Sequence, residues 1–135
     1  MTDVARHDIR HREDILLLMR TFYEKLLSDE IMRPIFTDVA HIDLDHHLPI
    51  LADFWQHILF HEGDYKGNPM QVHLALHEKS PLTKQHFDIW MGYFKETVEE
   101  LFDGPLAFMA VSRAASIAVV MQQKIYLSGL EKLNH

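Results

Sequence analysis

The sequence has no cysteine, few glycines and prolines, and fewer basic than acidic side chains. Without cysteine the chain forms no disulfide, no thiolate metal site and no cysteine nucleophile. Five glycines and five prolines in 135 residues are few for an all-β protein, which needs many turns. The formal net charge of −7 repels phosphate groups, so we expect neither nucleic acid nor an anionic membrane as a partner.

Long hydrophobic runs are missing as well. No uninterrupted stretch of about 18 apolar residues occurs, so the sequence predicts no membrane span. The N-terminal segment MTDVARHDIRHRED is charged where a secretory signal has an apolar core, which favours a cytoplasmic location. A hydrophobic fraction of 47% and a charged fraction of 24% fit one domain over residues 1–135. We expect residues 1–10 of it to form a mobile N-terminal extension.

Apolar residues three or four positions apart predict an all-α chain with four long helices and short extra ones. The first long helix is expected at about residues 11–27, and the last at about residues 106–127. The second and third are expected to begin after N-caps at Asp45 and Thr83, with Pro49 near the first turn of the second. A short helix is expected at about residues 69–76. Because the last helix is apolar over much of its surface, we expect it to be the most buried.

Eleven histidines are many for this length and suggest a metal or a cofactor. Histidines four positions apart share one face of a helix, where they can chelate a metal ion. Three such pairs occur: His7 and His11, His57 and His61, and His73 and His77. With so many histidines these spacings also arise by chance. A non-haem metal protein therefore stays open, as does an interaction module whose Met-rich helices bind a partner.

A single histidine is enough to hold haem in an apolar slot. His73 lies on the short helix among mostly apolar neighbours. The long helices offer flat apolar side chains that can enclose a porphyrin: Phe22, Phe54, Trp55, Trp90 and Phe94. A lone histidine on an apolar face is more often an ordinary core residue, so periodicity alone does not decide for haem.

Four segments, in this order, resemble parts of the truncated haemoglobins, and most closely those of group III. FYEKLLSDEIMRPIF (22–36) resembles the family's second helix and the following corner, and HLPILADFWQHILF (47–60) its distal helix. YKGNPMQVHLAL (65–76) resembles the proximal segment, and HFDIWMGYF (86–94) the next helix. The resemblance covers residues 15–125 and implies a truncated globin, a two-over-two helical sandwich around haem b.

The resemblance assigns roles to individual residues. His73 matches the proximal histidine, which binds the haem iron. Tyr23 matches the distal tyrosine whose hydroxyl faces the bound ligand, and Trp90 the tryptophan whose indole N–H borders the same pocket. Phe22 and Phe54 match apolar haem contacts.

The distal-helix ligand position falls on His47, next to a second histidine. A shift of one residue would bring His46 towards the iron instead, since neighbours on a helix lie about 100° apart. His46 is alternatively expected at a haem propionate. Three further side chains are candidate propionate partners: Tyr65, Lys79 and Lys84.

The function implied by the resemblance is reversible binding of dioxygen, nitric oxide or carbon monoxide at a five-coordinate, histidine-ligated iron. A hydrogen bond to a charged acceptor is worth about 1.5–3 kcal/mol, or roughly tenfold to hundredfold in affinity. Tyr23 and Trp90 therefore favour retention of oxygen. Whether the protein is also an enzyme is left open: nitric oxide dioxygenation or peroxide chemistry needs electrons. The chain has no Gly-rich dinucleotide fingerprint, so a reductase would be a separate partner.

Overall fold

The computed structural model describes residues 6–63, 65, 67 and 69–133. Within these ranges the regular structure is helical and contains no strand, which confirms the all-α prediction. The helices are α1 (Arg12–Ser28), α2 (Leu44–Phe60), α3 (Pro69–Lys79), α4 (Lys84–Leu101) and α5 (Pro105–Leu133). A single π-helical turn, Ile35–Val39, forms the corner between α1 and α2.

Local capping fixes where two of the helices begin. Thr83 caps α4 as predicted: its hydroxyl accepts a hydrogen bond from the His86 N–H, and the His86 ring accepts one from the Thr83 N–H. The prediction of Asp45 as the N-cap of α2 was wrong. Asp43 is the cap, since its carboxylate accepts a hydrogen bond from the Asp45 N–H. Pro49 consequently lies inside α2 rather than in its first turn.

Helix α1 occupies the centre of the fold, between α2 and α4. Helix α4 also packs against α5, and α5 contacts both α3 and α2. The molecule is thus built from an α1–α2 pair and an α4–α5 pair. Buried side chains recur every three or four residues along α1, which places one face of the helix in the core: Ile15, Leu18, Met19, Phe22 and Leu26.

Helix α5 contradicts the expectation that it is the most buried helix. It turns small side chains inward, among them Ala107, Ala110 and Ala114, while Phe108 is 77% exposed. Composition alone could not predict this, because it does not tell which faces of an apolar helix are covered. Over Pro105–Leu130, α5 is also long and apolar enough to cross a membrane. Core helices of folded proteins can have the same length and composition.

Two residues of the expected N-terminal extension, Asp8 and Ile9, contact the rest of the chain. Ile9 is only 1% exposed. The Asp8 carboxylate accepts hydrogen bonds from the backbone N–H groups of Leu106 and Ala107 at 3.0 and 2.8 Å. These bonds satisfy N–H groups that the first turn of a helix otherwise leaves unpaired. The expected mobility of residues 1–5 lies outside the described residues.

Candidate functional site

A tyrosine and a histidine meet where α1 faces α2. Tyr23 is 7% exposed, and its hydroxyl lies 3.4 Å from Nε2 of His47. The ring of Phe36, in the corner after α1, packs edge-on against Tyr23 at 5.5 Å. Burial raises the pKa of Tyr23 well above its ordinary value, because the charged phenolate loses its hydration. The hydroxyl therefore stays protonated and available as a hydrogen-bond donor.

The register of α2 distinguishes its two adjacent histidines. His46 is exposed, whereas His47 is half-buried and directed to Tyr23. Burial lowers the pKa of His47, and its electrostatic interactions with His73 and His46 lower it further. His47 is therefore neutral at pH 7. The electrostatic interaction of His47 with His73, which is half-buried on α3, links α2 to α3 at this site.

Stacked aromatic rings form a wall next to Tyr23. Phe22 is buried and meets Trp90 edge-on, with ring centroids 5.6 Å apart. Trp90 lies nearly parallel to Phe94, at 5.6 Å and 15°, and Phe94 in turn stacks on Trp55 at 5.2 Å. Because Phe94 is fully buried, this stack ties the half-buried Trp90 to the core and restricts its orientation.

A second aromatic contact joins α2 to the loop before α3. The half-buried rings of Phe54 and Tyr65 lie edge-to-face at 5.4 Å. Burial raises the pKa of Tyr65, so its hydroxyl is also protonated at pH 7. A Cβ atom at Gly67 would collide with the Tyr65 ring, which explains a glycine at this point of the loop. Of the other candidate propionate partners, Lys84 binds Asp88 on its own helix at 2.8 Å and Lys79 is exposed.

The histidine pairs do not belong to a metal site of three or more ligands in the part of the chain that the structure describes. No group of three or more His, Asp or Glu side chains is close enough there to hold a metal ion. His77, four residues after His73, accepts a hydrogen bond from the Leu82 N–H at 2.9 Å and so closes the turn between α3 and α4. His11 lies 3.4 Å from the carboxylates of Glu13 and Asp14.

Sequence reasoning missed two contributions to the site. Phe36 contacts Tyr23 from the corner, where no helical periodicity marks it. Tyr93, one turn after Trp90, donates a hydrogen bond from its hydroxyl to Asp29 at 2.7 Å and so joins α4 to the end of α1. This bond lowers the pKa of Asp29 and raises that of Tyr93. Sixty-four positions separate the two residues, so no local signal predicts the pair.

The described side chains fit a flat apolar cofactor with an imidazole ligand. Haem requires a neutral imidazole as a ligand of the iron and apolar groups against the faces of the ring. Polar groups beside the iron then determine how a ligand binds there. Histidines come from α2 and α3, apolar rings from α1, α2 and α4, and one buried hydroxyl from α1. His73 is the candidate ligand, and Tyr23 and His47 are the candidate polar groups.

No family model matches the sequence, but the chain is similar to known proteins in both sequence and structure. The chain is 31% identical over 122 residues to the group 3 truncated hemoglobin ctb of Campylobacter jejuni, which covers 88% of this chain and 94% of the relative. It is also similar to the crystal structure of a group III truncated hemoglobin from Campylobacter jejuni, with a TM-score of 0.80 and 29% identity. That similarity covers 90% of this chain and 96% of the other, and it confirms the predicted two-over-two arrangement of helices.

Proposed function

Since the chain belongs to the group III truncated haemoglobins, we propose that it binds haem b and, through it, dioxygen, nitric oxide and carbon monoxide reversibly. One observation supports the proposal: the protonated Tyr23 hydroxyl lies 3.4 Å from the neutral His47 ring, which interacts electrostatically with His73 on α3. Haem, when bound, supplies a ferrous iron that takes a diatomic gas as a ligand.

His73 is the proposed iron ligand. It is half-buried on α3, a helix of eleven residues between two loops, and α3 packs against α5. An imidazole ligand must be neutral to donate its lone pair to the iron. Phe22, Phe54 and Trp90 would provide apolar contacts for the ring of the cofactor.

Tyr23 is the proposed hydrogen-bond donor to the gas ligand. Its hydroxyl is protonated at every pH at which the protein is expected to work, because burial raises its pKa. The 3.4 Å distance to His47 is long for a hydrogen bond to a hydroxyl, so the hydroxyl is free to turn towards another acceptor. Trp90 is proposed as a second donor through its indole N–H. Together these donors favour retention of oxygen over its rapid release.

Turnover of nitric oxide or peroxide is a further part of the proposal. Both reactions need electrons that this chain does not itself supply, so we propose a separate reductase as a partner. The hydrogen-bond donors Tyr23 and Trp90 suit such chemistry because they stabilise negative charge that develops on a ligand.

An absorption spectrum of the purified protein tests the proposal. We expect a Soret band at roughly 400 nm that shifts on reduction and again on addition of carbon monoxide. His73→Ala should abolish most of the haem loading, whereas His57→Ala, at an exposed position on α2, should leave it unchanged. A colourless protein that retains zinc or non-haem iron would contradict haem binding. Full haem loading with an unchanged spectrum in His73→Ala would contradict the assignment of the ligand.

A further inference from the structure

Helix α5 buries four alanines and Met121, whereas several of its large apolar side chains lie on the surface. Ala107, Ala110, Ala114 and Ala118 are buried, yet Phe108 and Tyr126 are 77% and 67% exposed. Burial of large apolar groups stabilises a fold more than burial of alanine, so packing within one chain does not explain this arrangement. An exposed apolar surface of this extent marks an interaction site.

The exposed side chains form one continuous stripe, which we call the outer face of α5. Seven exposed residues at spacings of three and four make up the stripe: Phe108, Ser112, Ala115, Val119, Gln123, Tyr126 and Leu130. The exposed Val120 and Leu127 extend it on one side. At about 100° per residue, all seven members lie within roughly 40° of Val119 around the helix axis.

Charge also distinguishes the outer face from the rest of the chain. Residues 105–130 contain no Asp or Glu, although the protein has 20 acidic residues and a net charge of −7. The two basic residues in this segment, Arg113 and Lys124, lie about 120° and 140° around the helix from Val119. Two molecules of equal negative charge repel each other least when they meet through a surface without acidic groups.

We propose that the outer face of α5 binds the same face of a second copy of this chain, in an antiparallel pair with Val119 at the two-fold axis. The stripe is symmetric about Val119, with members at distances of 4, 7 and 11 residues on both sides. An antiparallel arrangement then places Phe108 opposite Leu130 of the partner copy. It also places the small Ser112 opposite the large Tyr126, which is the complementarity that close helix packing needs.

The area is sufficient for such a pair. From ordinary side-chain areas, the exposed large apolar residues of α5 offer on the order of 500 Å² per copy. Two outer faces together then bury roughly 1,000 Å² of apolar surface, which is the lower limit of a specific protein interface. The surrounding polar atoms add to this area.

A lipid surface fits the outer face less well than a second copy does. Helices that lie on membranes carry many Lys and Arg side chains on the polar side and avoid polar groups on the apolar side. Here only Arg113 and Lys124 are basic, and Ser112 and Gln123 lie within the stripe. The net charge of −7 further opposes binding to an anionic membrane.

Measurement of the molar mass of the haem-loaded protein by light scattering, across about 10–500 µM, tests the proposal. We expect twice the chain mass of 15.9 kDa at the upper concentrations. Val119→Glu and Val119→Lys should each raise the dimer dissociation constant roughly a hundredfold or more, because two like charges then meet at the axis. The matched control Leu17→Glu changes an exposed apolar residue on α1 and should leave the dimer intact.

An equimolar mixture of the two Val119 variants separates self-association from other uses of the face. Glu and Lys then meet across the axis, so the mixture should recover the dimer that each variant alone has lost. Circular dichroism and the haem spectrum report whether each variant is folded. A wild-type mass of one chain at all concentrations overturns the proposal, as does a dimer that persists in both Val119 variants. Binding of the monomer to phosphatidylglycerol vesicles through this face, with no dimer in solution, overturns it as well.

Discussion

The hydroxyl of Tyr23 lies 3.4 Å from Nε2 of His47, so α1 and α2 place a protonated phenol beside a neutral imidazole. Both groups keep their protonation state at neutral pH because they are removed from water. The contact is long enough to leave the hydroxyl mobile about its C–O bond. Tyr23 is therefore available to a third polar group that enters the site.

Tyr23→Phe should increase the rate of oxygen dissociation from the haem-loaded protein about tenfold to hundredfold, since it removes one hydrogen bond to a charged acceptor. Stopped-flow displacement of oxygen by carbon monoxide measures this rate. The control Tyr126→Phe removes a hydroxyl from a tyrosine that is mostly exposed on α5, and it should have no effect. An unchanged rate in Tyr23→Phe would mean that the hydroxyl points away from the ligand.

Trp90→Phe should also increase the rate of oxygen dissociation, by about tenfold, because phenylalanine keeps a ring for stacking on Phe94 but lacks the indole N–H. The second tryptophan provides a matched control. Trp55 is buried and stacks on the opposite side of the cluster, so Trp55→Phe should lower the unfolding free energy without changing the dissociation rate. Equal effects of both substitutions on the rate would show a general loss of packing instead.

Tyr93→Phe should make the protein less stable at neutral pH, with a difference from the wild type that shrinks in acid. The Tyr93 hydrogen bond lowers the pKa of Asp29 in the folded state. The stabilisation is thus fully present above the unfolded pKa of about 3.9 and is lost as the pH falls through the lower, folded pKa.

Urea denaturation midpoints of wild type and Tyr93→Phe between about pH 7 and pH 2.5 test this dependence. The two curves should converge at the acid end. A stability difference that stays constant over the whole range would show that the ionised Asp29 carboxylate is not what Tyr93 stabilises.

Asp8→Ala should lower the unfolding free energy by about 1 kcal/mol, the usual effect of the loss of a helix-capping side chain. Asp8 accepts hydrogen bonds from two N–H groups of α5, and Asp8→Asn keeps part of that capacity, so it should cost less. Urea denaturation measures these losses. Asp103 is an exposed residue close to the same turn, so Asp103→Ala serves as the control. Equal losses in all three variants would argue against a specific cap.

Local features of the fold could be predicted from the sequence, and relations between distant segments could not. The N-cap at Thr83 is predictable because capping depends on a few adjacent residues. At the start of α2, Asp43 and Asp45 are equally suitable by residue type, so the sequence does not distinguish the cap, Asp43, from its neighbour. Likewise, the rotation of α2 about its axis determines that His47 rather than His46 faces Tyr23. That rotation is set by packing between helices and has no local signal.

The site residues named from the sequence come from four helices and one loop, and the resemblance to a family, not periodicity, selected them. Periodicity could place Phe22 and Trp90 on apolar faces, but it could not tell which apolar residues contact each other. The contact between Tyr93 and Asp29 has no sequence signal at all, since each residue is ordinary for its own segment.

The bonds from Asp8 to Leu106 and Ala107 close a loop of 98 and 99 residues, nearly three quarters of the polypeptide. Closing so long a segment costs conformational entropy. We therefore expect these bonds to form late in folding, after the interior helices have brought Asp8 close to the start of α5. During synthesis, Asp8 must wait until Leu106 and Ala107 have been translated before it can bond to them. A change that displaces Asp8 would thus disturb the start of α5.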